Sequence, residues 1–438
     1  MIKELPKKNP ELAQAWQEAK HDAEAQSKFI RESGRFPLTA VGDINTYAVF
    51  AETTRKLISC DGRVGVIVPT GIATDDTCKK FFGDLIQKQA LASLYDFENR
   101  ENIFDGVGHG RFKFSLLSIS GQKIEKANFS FFLTQPRQID NQTRIFQLSP
   151  QDISLLNPNT LTCPILRTRA DAEITKKIYG YVPVLENEVV NKNDWGISFL
   201  RMFDMANDSG IFKREFENNL IPLYEAKMFW HYNHRFGDYA DYPDGALTSH
   251  LPDISEERLQ NPNYFITPRY WVHQAEVENR LGHSWKNAWL IAFRNISNAT
   301  NERTAVFTIL PKVALAHSST VLTIPQDKVF LISCLLANFS SIVFDFVTRQ
   351  KMGGTNFSNF ILKQLPVIPP KSYTEEDIEF IKTRVLELVY TACDMQPFAK
   401  DMGYGGKPFI WNPNRRALLR AELDAYYAKL YGLTRDEL

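Results

Sequence analysis

Apolar positions early in the chain keep a helical spacing, then give way to a buried-strand pattern. In PELAQAWQEAKHDAEAQSKFIRES, Leu12, Trp16, Ala19 and Ala23 fall on one face, predicting a helix over residues 8–33 that Gly34 ends. Tyr47, Phe50, Ala51, Thr54 and Ile58 repeat the spacing over residues 45–58, with Asp43 as the expected N-cap. The sequence GRVGVIVPTGIATDD (62–76) then holds a β-branched run that stops at Pro69-Thr70-Gly71, as a buried strand does where it delivers its carboxyl end to a crevice. A helix over 76–87 and strands over 91–97 and 112–119 follow. Strands alternating with helices predict an α/β sheet that is parallel at least in part. The link between the last two strands holds no helix, so those two are also compatible with antiparallel neighbours.

Near residue 150 the pattern changes to irregular, aromatic-rich sequence with many Asn and Pro residues. A short strand is expected over 306–310, and helices near 327–337 and 340–347. QLPVIPP (364–370) reads as a stiff linker. Beyond it, Thr374 and Asp377 predict a capped helix, and a final helix runs from about residue 414 to Gly432. The expected organisation is a helical N-terminal segment (1–40), an α/β domain (41–150), an α+β domain (151–370) and a helical C-terminal region (371–438).

Charge and composition narrow the function classes. Net charge is zero over 438 residues, so no global field points to nucleic acid or membrane. The apolar run at 329–338 is half of what a membrane span needs, and the first residues lack a signal-peptide core. Five cysteines without a CxxC pair fit a reducing, cytoplasmic setting and predict no metal centre. GVGHG (106–110) matches no phosphate loop and reads as a turn. His231 and His234 are the one close histidine pair, without a third ligand in register. Two basic groups, Arg269 to Lys312 and Arg349 to Lys363, are interleaved with aromatic and amide residues, the types that touch DNA backbone and bases.

Several stretches in order resemble the C-terminal part of bacterial N6-adenine DNA methyltransferases of the type IIG restriction–modification kind. They are GRFPLTAVGDINTYAVFAETTRKL (34–57), GRVGVIVPTGIATDD (62–76), ASLYDFENRENIF (92–104), PLYEAKMFWHYNHRF (222–236), NATNERTAVFTILP (298–311), GGTNFSNFILKQLPVIPP (353–370) and RAELDAYYAKLYGLTRDEL (420–438). The resemblance implies the later half of a class I, Rossmann-like methyltransferase sheet, then an α+β target recognition domain and bracing helices. The family's S-adenosylmethionine loop and its Asn-Pro-Pro-aromatic catalytic loop have no counterpart in the sequence, and Met1 falls just after that loop's expected place. The strand at 64–70 is accordingly expected to be the fifth of its sheet.

The resemblance therefore implies no catalytic residue in this chain, and S-adenosylmethionine bound only in a complete enzyme. Phe104 or Phe112 would pack against an extruded adenine. Asp43, Asn45 and Thr46 would line the cofactor side. Lys227, His231, His234, Arg235, Arg294 and Asn301 are expected DNA contacts, as are Arg303, Arg349, Lys351, Thr355 and Asn356, with Tyr224 and Glu225 organising them. The implied partners are double-stranded DNA and a separate N-terminal half; the alternative is an inactive fragment that binds DNA only. No nuclease signature is present, so cleavage is not expected.

Overall fold

The β-branched run after Gly62 forms the edge of a five-stranded sheet. In this computed structural model, residues 5–107, 112–242, 250–282 and 285–438 are described. The end of the GVGHG turn (108–110) lies outside them. The chain divides into two units, residues 1–173 and 174–438.

In the first unit, helix α1 (Pro10–Glu32) starts at Asn9, whose side chain accepts from the Leu12 amide at 3.1 Å. Only Ala13 of α1 is buried, and its expected apolar face, with Leu12 and Trp16, lies open. Helix α2 (Thr46–Lys56) begins at Asn45, not at the expected cap Asp43. Its buried Glu52 instead does the tethering. One carboxylate oxygen accepts from the Thr39 amide (3.1 Å) and hydroxyl (2.8 Å), fixing the loop that precedes the helix. The strands are β1 (Arg63–Pro69), β2 (Leu91–Glu98), β3 (Lys113–Ser120), β4 (Ala127–Leu133) and β5 (Phe146–Leu148), in the order β1-β3-β2-β4-β5. β3 runs antiparallel to both β1 and β2, so β1 and β2 are mutually parallel with a reversed strand between them. β4 is parallel to β2, and β5 antiparallel to β4. The sheet is mixed. Helix α3 (Lys79–Gln87) covers it with Phe81, Phe82, Leu85 and Ile86, which join Leu94, Leu117, Phe129 and Phe131 in the core.

That core does not end at residue 150. Ile153 on helix α4 (Pro150–Leu156), and beyond it Cys163, Ile165, Leu166 and Ala172, pack into the same cluster. The change in sequence character at 150 is therefore a change of element type within one unit.

The second unit is α+β. β6 (Ser198–Leu200), β9 (Trp289–Arg294), β10 (Phe307–Pro311) and β12 (Ser319–Thr323) form an antiparallel sheet in the order β10-β9-β12-β6. β7 (Leu220–Tyr224), β8 (Trp271–His273) and β11 (Ala314–Leu315) form a smaller one. Helix α5 (Ile332–Ser340) is buried along its whole length, and Phe339 stacks on Phe307 of β10 at 4.4 Å. Helices α6 (Ile342–Arg349), α7 (Glu375–Val389) and α8 (Pro413–Leu430) complete it, α7 with the expected Thr374–Asp377 capping box. QLPVIPP is not a linker. Leu365, Val367 and Ile368 are buried, and their backbones bond to Leu185 (2.8 Å), Pro183 (3.0 Å) and the Asn338 side chain (2.9 Å). Apolar residues between the prolines outweigh the stiffness that suggested a spacer, and residues 371–438 belong to the same unit. No single helix among the described residues is long and apolar enough to cross a membrane.

Candidate nucleic-acid interface

At the carboxyl end of β1, Ile67, Val68 and Pro69 join Asn99, Phe104, Val107, Phe112 and Phe114 around a pocket of about 170 Å³. Phe104 stands edge-on to Phe114 at 4.9 Å, and Phe97 stacks behind Phe114 at 5.3 Å. The two phenylalanines singled out in the sequence thus meet in one place, each about four-tenths exposed (39% and 46%). Asn99 sets them there. Its side chain donates to the Phe104 carbonyl and accepts from the Phe104 amide, both at 2.9 Å, while its own amide donates to the Phe112 carbonyl at 2.9 Å. With its amide so used, the pocket offers flat apolar walls and, among the described residues, no free polar side chain. Below it, buried Asp96 accepts from Thr70, the residue after β1, and from the Phe132 amide at 3.2 Å. Burial pushes the Asp96 carboxyl up, against the pull of Lys113 and the Thr70 hydrogen bond. Asp43, Asn45 and Thr46 are exposed and line no part of this pocket.

In the second unit the structure removes most of the expected DNA contacts from reach. Arg235 is fully buried. It donates to the carbonyls of Leu259 (2.8 Å), Asn261 (2.9 Å), Tyr264 (3.0 Å) and Thr391 (3.1 Å), tying three segments together. His234 is buried against Asp394 at 3.1 Å, and His231 against the Ser340 carbonyl at 2.9 Å. Arg294 spends its guanidinium on the Phe229 carbonyl and the Trp230 face at 4.6 Å, and burial lowers its pKa to about 10. Lys227 pairs with Glu225 at 3.1 Å, and Arg303 with Asp424 at 3.4 Å. Glu225 also accepts from Tyr239 at 2.5 Å, while Tyr224 is buried. Cations that look unopposed along the sequence meet acids from far away: Lys363, for instance, pairs with Glu186 (3.3 Å) and Glu188 (2.6 Å).

His231 has a measurable consequence. Burial, with Arg303 and other cations nearby, holds its pKa well below the ordinary value. The folded protein keeps it neutral, whereas the unfolded chain takes up a proton below about pH 6.5, so stability falls as pH falls through that point. Urea denaturation at about pH 7.5 and about pH 5.5 is expected to differ by about 1.4 kcal/mol from this group. His231→Gln, which retains a donor for Ser340, is expected to flatten that difference; an unchanged pH slope in the variant would rule the assignment out.

Open to solvent is a platform of two loops, 295–303 and 351–358, that carries Asn301, Lys351, Thr355 and Asn356, with Arg349 at the end of α6 beneath it. The loops are zipped by the Ser297 amide on the Thr355 carbonyl (3.1 Å), the Phe357 amide on the Asn295 carbonyl (2.6 Å) and a bridge between Ile296 and Asn356. Helix α6 holds the first loop from beneath. Asp345 accepts from the Thr304 (2.7 Å) and Ala305 (2.8 Å) amides. Arg349, paired with Asp345 at 2.8 Å, donates to the carbonyls of Ala299 (3.1 Å) and Glu302 (2.6 Å). Arg349 is therefore a positioning residue. Lys351 lies over the Tyr179 ring at 4.8 Å, and Asn301 donates to Ser297 at 3.3 Å. Thr355, Asn356 and Ile296 are exposed, as are Thr300 and Glu302 at the tip of the first loop. Sequence reading passed over Ile296 and Asn99. The available signal for Ile296 was a single large apolar residue inside the amide- and hydroxyl-rich stretch NISNATN.

No family model matches the sequence, and no curated protein does. Among solved structures, the chain is similar to the type IIG restriction endonuclease BpuSI (10% identity, 94% of this chain and 52% of that one, TM-score 0.30). It is also similar to the type IIL restriction–modification enzyme MmeI in complex with DNA (8% identity, 93% and 52%, TM-score 0.46). A third is the ATP-dependent type ISP restriction–modification enzyme LlaBIII bound to DNA (8% identity, 83% and 28%, TM-score 0.37). The chain spans about half the length of the first two and just over a quarter of the third.

Proposed function

We propose that this chain is the sequence-recognition part of an adenine-N6 DNA methyltransferase of the restriction–modification kind, completed by a separate N-terminal half. The observation that carries the reading is the pocket of Phe104 and Phe112 at the carboxyl end of β1, a strand that lies at the sheet edge. An adenine turned out of a duplex needs a flat apolar wall, and its unstacking cost of a few kcal/mol is offset by stacking in such a pocket. The open edge of β1 gives an added strand, and the loop that follows it, a place beside that wall. Apolar side chains left in water nearby in the sequence fit a surface made to be covered: Leu12, Trp16, Phe50, Leu57 and Ile67 are 44–78% exposed. The two-loop platform of the second unit supplies the amide and hydroxyl groups that read base edges.

The residues present do not by themselves fit S-adenosylmethionine. Asp43, Asn45 and Thr46 are exposed and do not line the Phe104–Phe112 pocket, and the sequence has no glycine loop of the kind that cradles it. They are proposed as one side of a cofactor crevice that the other half closes.

The test is complementation. The full chain is mixed with a protein that carries the glycine and Asn-Pro-Pro-aromatic loops, encoded beside it. Transfer of a labelled methyl group to adenine in duplex DNA is then measured. Activity in the mixture and in neither component alone is expected. Sequence-selective DNA binding that ignores the added protein and cofactor, with no methyl transfer, would make the chain a DNA-binding fragment instead.

A further inference from the structure

Resting on that reading, we infer that Ile296 and Asn356 act as one reader of an A·T base pair, Ile296 on the thymine methyl group and Asn356 on the adenine edge. The two residues oppose each other in an antiparallel bridge, which puts their side chains next to each other on one face. The alternation of the second loop fixes which face that is: Phe357 is fully buried against Phe293 and Phe307, so its neighbour Asn356 points outward. Ile296 is 63% exposed while Ser297 beside it is buried. Among the described residues, no hydrogen bond engages the Asn356 side-chain amide, so both its donor and its acceptor are available.

The backbone under this pair is held more firmly than an idle surface loop requires. The Ser297 and Phe357 amides bond across the two loops at 3.1 and 2.6 Å, and Arg349 of α6 grips the Ala299 and Glu302 carbonyls. A rigid carrier limits the ordering cost of binding. An exposed isoleucine beside a free amide matches what one A·T pair presents in the major groove: an acceptor and a donor on adenine, and a methyl group on thymine. G·C presents no methyl group and offers the amide no such bidentate partner.

The experiment selects binders with the full chain from randomised duplex DNA, made in parallel with thymine and with uracil, which differs only by the methyl group. For the wild type we expect one A·T position in the consensus whose replacement by A·U weakens binding about four-fold, the size of one methyl contact. Ile296→Ala is expected to bind the two pools alike, Ile296→Val to retain the discrimination, and Asn356→Ala to lose the A·T preference at that position about ten-fold. Both side chains are exposed, and thermal unfolding checks that the variants fold. A consensus that treats thymine and uracil equally at every position would overturn the inference and leave DNA recognition standing. Discrimination that persists in Ile296→Ala would also overturn it. Absence of any binding to duplex DNA would remove the functional reading itself.

Discussion

Replacing Arg235 with methionine is expected to cost the second unit at least about 4 kcal/mol, enough to leave it largely unfolded near body temperature. The methionine fills most of the volume, but the carbonyls of Leu259, Asn261, Tyr264 and Thr391 lose their donor where water does not replace it. Each acceptor stranded in that way costs about 1–3 kcal/mol. Arg235→Lys is expected to recover little, because an ammonium group does not reproduce a planar fork that reaches four carbonyls at once. Urea denaturation followed by tryptophan fluorescence measures this. On the platform, Thr355→Ala is expected to change stability by no more than about 0.5 kcal/mol, since the side chain is exposed and makes no tertiary bond among the described residues. The contrast separates two meanings of a lost DNA-binding signal: with Arg235 the domain goes, while with Thr355, proposed as a DNA contact, the fold stays. An Arg235→Met protein as stable as the wild type would show that its guanidinium does not hold the unit together.

That pair of residues also shows what a sequence does and does not disclose. Local signals served well where neighbours in the chain decide the outcome. The run expected over 64–68 became the strand Arg63–Pro69, and Thr374 with Asp377 became a capping box, because the partners are a few residues away. Burial of polar side chains is decided by partners far along the chain, so it was misread. Arg235 resembles a phosphate contact until Leu259, Asn261, Tyr264 and Thr391 close around it. His234 finds Asp394 across 160 positions, and Arg303 finds Asp424 across 121. QLPVIPP failed as a linker for the same reason: the strand-like partners Pro183 and Leu185 that bury it are remote. Phe104 and Phe112 share a pocket because Asn99 binds the backbone of both, a role that nothing in ENRENIF announces.

Asn99 is accordingly where the largest loss of activity is expected without loss of the fold. The residue is 2% exposed, and its side chain closes two bonds to Phe104 while its backbone closes one to Phe112. Asn99→Ala removes the two side-chain bonds and leaves the Phe112 bond in place, so Phe104 is freed to swing from its edge-on seat over Phe114. The β2–β3 pairing from Leu91 to Glu98 does not depend on that side chain, so the sheet is expected to persist. A reacting group displaced by about 1 Å loses about a hundred-fold in rate. In the proposed complemented enzyme, Asn99→Ala is therefore expected to lower methyl transfer by about that factor, while DNA affinity, which that proposal assigns to the second unit, stays within about two-fold. A 2-aminopurine at the target adenine reports the pocket directly, since the probe brightens when it leaves the base stack. Wild type with its partner half should brighten, and Asn99→Ala should do so much less. Full brightening and full activity in the variant would mean that the phenylalanine pocket is ordinary packing at a strand end, and the extruded base would then have to be sought elsewhere.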